Sequence, residues 1–148
     1  MKIGILGGSF DPAHKGHLAI SKEARKRFKL EKIIWAITKK NPLKAESKTP
    51  ISKKIKDCKK IIGLNSFIKV KFYENIIKSN KTIDLINYLK KNKNIEIFFL
   101  MGADNLISFH KWHKSKLISQ KCNIIVFDRH GYKKNSLKSK TFKRLNNK

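Results

Sequence analysis

The stretch KIGILGGSFDPAHKGH at residues 2–17 runs from an apolar segment straight into a double glycine, a Ser-Phe-Asp-Pro turn and two histidines. KIGILG has the length and continuous apolar character of a strand buried on both faces. Gly7 and Gly8 remove side chains at the turn, so the backbone there can reach positive φ and approach a ligand closely. A helix opening at Gly16 aims free N–H groups and its positive end at the same space, which makes an anion site. At that entrance His14 and His17 fall on one side, and Gly16 between them keeps the wall low. A histidine that protonates near neutral pH would add charge there as well as a directed donor. Folding alone has no need of this combination, so the loop is where the chemistry concentrates.

Outward from this loop the same alternation repeats. KIIWAI at 32–37, FIKVKF at 67–72, IEIFFLM at 95–101 and CNIIVF at 122–127 read as further buried strands. Gly16–Phe28, Ser52–Ile62, Thr82–Lys91 and Asp104–Gln120, the last broken near Trp112, have the spacing of crossover helices. The pattern predicts an α/β, Rossmann-like, doubly wound parallel sheet of about five strands in a single domain over 1–132. Ligands in such sheets bind outside the carboxyl ends of the strands, where the strand order reverses. Residues 133–148, rich in Lys, Asn and Ser, read as a basic flexible tail.

Composition narrows the partners. With 36 Lys and Arg against 10 Asp and Glu, the chain of 148 residues carries a formal charge of +26 and attracts polyanions to almost any face. The lysines are scattered among Asn and Ile residues, a compositional bias more than a binding stripe, and no basic groove interleaved with aromatics is evident. No specific nucleic-acid partner is expected. Cys58 and Cys122 lie in no CxxC or Cys/His spacing, so neither a disulfide framework nor a metal site is indicated. Without a signal-peptide pattern or a run of ~20 apolar residues, the expectation is a cytoplasmic protein with no membrane partner.

GGSFDPAHKGH resembles the signature of the HxGH nucleotidylyltransferases. The resemblance implies ATP, Mg²⁺ held mainly by the ATP phosphates, and direct nucleotidyl transfer with no covalent enzyme intermediate. It implies that His14 and His17 hydrogen-bond ATP phosphate oxygens and stabilise the transition state. It also implies that the Gly8 to Phe10 backbone contacts the joining phosphates and that the Ser9 hydroxyl assists, while Asp11 reads as a cap on the turn at Pro12.

Three later blocks, KKNPLK at 39–44, MGADNLISFHKWH at 101–113 and FDRHGY at 127–132, resemble the bacterial nicotinate-nucleotide adenylyltransferases, and the likeness runs from Met1 to about Tyr132. That family implies transfer of the adenylyl group of ATP to nicotinate mononucleotide, giving deamido-NAD and pyrophosphate. Residue by residue it implies that Lys44 reaches the phosphates, that Asp104 sits beside the adenosine with Gly102 leaving room, and that Trp112 stacks on the pyridine ring. Thr82 at a helix N-terminus would help hold the acceptor carboxylate, and Arg129 would face anionic substrate. Bland readings stand beside these: Lys44 as one more solvated lysine, Asp104 as an N-cap, Trp112 as core.

Departures from the family pattern are Leu43 in place of a frequent His, and Lys81, Thr82 and Leu85 where a Tyr-Thr pair and a second Thr are common. The family's Ser/Thr-rich turn followed by Ile-Arg is not found within the 148 residues, so an incomplete phosphate site is expected of this chain. The alternatives are phosphopantetheine adenylyltransferase, which shares the first motif but lacks the GADN…FHKWH arrangement, and a truncated, non-catalytic basic protein.

Overall fold

Alternation along the strands commits each apolar run to two cores at once. The computed structural model describes residues 1–39, 48–92, 94–102, 109–127 and 142–144. Five strands are parallel: β1 (Lys2–Gly8), β2 (Lys32–Ile37), β3 (Ile68–Lys71), β4 (Glu96–Gly102) and β5 (Asn123–Phe127). The sheet order is β3-β2-β1-β4-β5-β6, where β6 (Phe142–Arg144) pairs antiparallel with β5.

On one face Leu6, Ile33, Trp35, Ile37, Leu100 and Phe127 pack with Ile20 and Ala24 of α1 (Lys15–Phe28) and with Cys58 and Ile62 of α2 (Ile51–Ile62). Their strand neighbours Ile5, Ile34, Ala36, Phe99 and Val126 point to the opposite face. There, beyond the short α3 (Glu74–Ile77), they meet Ile83 and Ile86 of α4 (Thr82–Leu89), Phe109 of the 3₁₀ turn Phe109–Lys111, and Ile118 of α5 (Ser115–Lys121). Helices therefore cover both faces, as the repeat of short runs predicted. Where α1 returns to the sheet, a Cβ on Gly4 would lie 2.9 Å from Leu30 Cδ1 and 3.2 Å from Ile33 Cγ1, so this glycine admits the crossover.

The segment Asp104–Gln120 is broken near Trp112 as expected: its described part is the 3₁₀ turn and α5, separated at Trp112–Lys114, where Lys114 takes φ 55. In the stretch read as a flexible tail, Phe142–Arg144 forms β6. A strand at the sheet's edge presents unpaired N–H and C=O groups, and β6 supplies partners for those of β5 without needing an apolar signature of its own. Among the described residues no helix is long and apolar enough to cross a membrane.

Both cysteines are buried in the two cores, and burial pushes each thiol up to about 12. The reactive species is the thiolate. Native protein treated with iodoacetamide at about pH 8 should therefore leave both unmodified, and both should react once urea unfolds the chain. Rapid alkylation of Cys58 in the native state, read by mass spectrometry, would contradict this core.

Candidate active site

Strand order reverses at β1, whose neighbours are β2 on one side and β4 on the other. The carboxyl ends there are Gly8, Ile37 and Gly102. Thr38 extends the β2 edge by donating its N–H to the Gly8 carbonyl at 2.8 Å. A Cβ on Gly8 would meet only Phe10, with the ring at 3.7 Å, so glycine leaves open room at this end of the strand.

The positive φ expected of the glycines is found instead on Phe10, at φ 50. A non-glycine residue held there costs about 1–3 kcal/mol. Burying a Phe side chain returns about 1.5–3 kcal/mol, and Phe10 is 3% exposed. Its ring stacks on Trp35 (centroids 5.2 Å apart, interplanar angle 18°) and touches the His17 ring (4.7 Å). Turning Phe10 into the core leaves Ser9 exposed at the rim. Beyond it the Asp11–Pro12 peptide is cis, and Thr49 Oγ1 donates to Asp11 Oδ1 at 2.7 Å, which ties the loop to the approach to α2.

His14 and His17 cap α1 reciprocally. His14, the N-cap, is extended (φ −147, ψ 171), and its Nδ1 accepts from Gly16 N–H at 3.1 Å. His17, at the third helical position, accepts the His14 backbone N–H on its own Nδ1 at 3.1 Å. This is the geometry of a capping box with imidazoles in place of Ser and Glu. The rings lie 3.9 Å apart with a tilt of 32°. In both rings it is Nδ1 that accepts, so each cap bond is made by a ring nitrogen acting as acceptor. A proton on Nδ1 of either ring would break that ring's cap bond. The first turn of α1 contains no acidic side chain to offset the helix's positive end.

The other residues expected from sequence distribute around this centre. Gly102 is buried at the end of β4, paired with Phe127. Thr82 is half-buried as the first residue of α4, where Ser79 Oγ donates to Asp84 Oδ2 at 2.6 Å and accepts the Lys81 N–H at 3.0 Å. Trp112 is half-buried, packed edge-on against Phe99 (5.9 Å, 85°) and Phe109 (5.3 Å, 69°) at the border of the core. Lys44, Asp104 and Arg129 lie outside the described residues. The structure thus gathers Gly8, Ser9, Phe10, His14 and His17 in one turn, with Gly102 at the adjacent strand end. Thr82 and Trp112 belong to the other layer.

Sequence reading missed several residues at this end of the sheet. Trp35 and Ser21 sit directly behind His17. Lys54 of α2 is 1% exposed, and its Nζ donates to the Thr38 carbonyl at 3.4 Å. Glu74 accepts the Lys39 N–H at 3.1 Å, and burial pushes its carboxyl above the usual range. The i, i+4 line Lys54, Cys58, Ile62 on the buried stripe of α2 was the legible signal for the lysine. Among the described residues no three His, Cys, Asp or Glu groups cluster as metal ligands.

Sheet order, open turn and paired histidines at a helix N-terminus meet at the switch point of the sheet, where ligands of doubly wound sheets bind. A family model described as cytidylyltransferase-like matches residues 5–147. A relative from Pelagibacter ubique is 67% identical over 145 residues, covering 98% of this chain and 81% of the relative. One from Bradyrhizobium sp. (strain ORS 278) is 36% identical over 130 residues, covering 87% and 68%. Both bear the description "probable nicotinate-nucleotide adenylyltransferase".

Among solved structures, Plasmodium falciparum nicotinic acid mononucleotide adenylyltransferase complexed with NaAD matches with a TM-score of 0.75 at 21% identity, covering 86% of this chain and 64% of that one. The same enzyme complexed with APC gives 0.74 at 22%, covering 86% and 63%. These two likenesses speak for the fold, and the chain spans less than two thirds of the Plasmodium enzyme. The class is that of cytidylyltransferase-like nucleotidyltransferases. Within it, the chain belongs to the nicotinate-nucleotide adenylyltransferase family.

If the two histidines cap α1, His14→Ala should lower stability by about 1 kcal/mol in urea denaturation, while His14→Asn keeps most of it. His17→Gln should likewise retain the box, since Gln serves at the third helical position. Equal losses for His14→Ala and His14→Asn would remove the capping role.

Proposed function

We propose that the chain transfers the adenylyl group of ATP to nicotinate mononucleotide, giving deamido-NAD and pyrophosphate. The observation that carries this reading is the capped pair His14 and His17, two imidazoles fixed through Nδ1 beside an open glycine turn at the sheet's switch point. An oxygen of the acceptor phosphate attacks the α-phosphorus in line. The bond from that phosphorus to the bridging oxygen breaks, and pyrophosphate leaves with the electron pair. No nucleophilic side chain is needed, so catalysis is alignment plus stabilisation of charge on phosphate oxygens. Donors held by the backbone do this without reorganising during the reaction.

In this reading Gly8, Ser9 and Phe10 line the phosphates with their backbone, and Lys44 adds a cation. Gly102 and Asp104 border the adenosine, while Thr82, Trp112 and Arg129 hold the acceptor. These roles rest on the family resemblance of the motifs. ATP enters as its magnesium complex, with the ion held mainly by phosphate oxygens. Residues 1–132 form the transferase unit, and the basic segment after them lends β6 to its edge. The two free, buried thiols suit a cytoplasmic setting.

The test is pyrophosphate release by the purified chain with MgATP and nicotinate mononucleotide, with nicotinamide mononucleotide and phosphopantetheine as comparison acceptors. Turnover with phosphopantetheine alone would replace this reading by the phosphopantetheine one. His17→Gln, which keeps the helix cap, should lower turnover by roughly 10²–10³. A near-parental rate in that variant would remove His17 from the chemistry.

Trp112→Ala should raise KM for nicotinate mononucleotide several-fold and leave KM for ATP unchanged, because stacking contributes about 0.5–1.5 kcal/mol beyond area burial. Equal weakening of both substrates would assign Trp112 to the core.

A further inference from the structure

Behind His17 runs a two-bond relay that the chemistry of a phosphate site does not itself call for. Trp35 in β2 is 0% exposed, and its Nε1–H donates to Ser21 Oγ at 2.8 Å. Ser21, also 0% exposed, donates its hydroxyl to the His17 carbonyl at 2.8 Å. An indole N–H only donates and a carbonyl only accepts, so the direction of the relay is determined. The same indole supports the imidazole from the side: its centroid lies 5.7 Å from that of His17, and Phe10 packs against both rings. The backbone and the ring of His17 therefore rest on one strand residue.

Core filling does not account for this arrangement. A buried indole N–H and a buried hydroxyl are costly unless each is bonded, and an apolar pair of similar volume would fill the space without that demand. The relay has a positional effect instead. The first turn of a helix lacks the i→i−4 bonds that steady its interior, so its residues fray most easily. Here the carbonyl of the third helical residue is clamped to the sheet at the turn that carries the donors.

We propose that Trp35, acting through Ser21, is a positioning residue for His17, setting the direction in which its Nε2–H points. This rests on the adenylyl-transfer reading for its catalytic consequence, though not for its geometry. Neither Trp35 nor Ser21 touches substrate.

Trp35→Phe removes the indole donor and keeps an aromatic ring, and Ser21→Ala removes one oxygen and keeps Trp35 itself. Two measurements are made on the full chain: ¹⁵N–¹H spectra of the histidine rings, and steady-state kinetics with MgATP and nicotinate mononucleotide. The parent should show His17 as a single Nε2–H tautomer, and either substitution should give an averaged or shifted ring signal. The kcat should fall about tenfold or more, the scale of a misplacement short of an ångström, with little change in KM for ATP. The double variant should be no worse than the more damaging single one, because both act on one path. Ile118→Val, in the opposite core, should leave both readouts at parental values.

An unaltered His17 ring signal in both variants overturns the proposal, whatever kcat does. So does a kcat loss no larger than that of Ile118→Val. Should the parent chain show no adenylyl transfer, the functional reading fails on its own, and the ring spectra still decide the relay.

Discussion

Strand β1 is hydrogen-bonded in parallel on both sides, to β2 and to β4, and everything distinctive about this molecule follows from where that central strand ends. Because the chain passes from β1 to β2 on one side and returns from β3 to β4 on the other, the crossovers diverge at the carboxyl end of β1. The chain must still turn there, cap a helix and close over a core. It does so with a glycine that leaves space above, a phenylalanine turned down into the core, and a helix whose first turn faces the opening. A ligand site at the switch point is thus a consequence of topology, and the side chains decide only which ligand.

Electrostatics act here on two scales. The overall charge of +26 supplies a diffuse attraction for polyanions that salt screens and that selects none of them. In the proposed reading selection comes from side chains that are held in place. The imidazoles of His14 and His17 are bound through Nδ1 to backbone N–H groups, which fixes both rings at the helix entrance. In the proposed reading the residues that cap the helix also meet phosphate, so mutational effects on stability and on turnover separate only with substitutions that preserve the cap.

The relay from Trp35 through Ser21 to His17 extends this economy into the core. Phe10 joins it from the loop side, and its strained backbone is compensated by aromatic packing on Trp35. A strand, a turn and a helix therefore share one cluster of rings directly beneath the donors. Disturbing any member should be felt at the imidazoles before it is felt in the sheet.

Much of this was legible in the linear chain. Short apolar runs alternating with helix-period segments determined a doubly wound sheet, because a strand flanked by helices on both faces must be apolar throughout. The loop GGSFDPAHKGH pointed to the place of the candidate site, although its paired histidines also serve the fold as the cap of α1, a role the linear chain did not disclose. Sequence could not say that the positive φ falls on Phe10 instead of a glycine, because burial of the ring outweighs the backbone strain only when Trp35 is there to receive it. Nor could it say that the two histidines cap the helix reciprocally, which depends on where the backbone N–H groups of the first turn point. Trp35 read as an interior residue of a strand, and Phe142–Arg144 as part of a basic tail. Their roles are decided by partners distant in the chain, an indole donor by a serine on the facing helix and an edge segment by the unpaired groups of β5, and only tertiary structure brings such partners together.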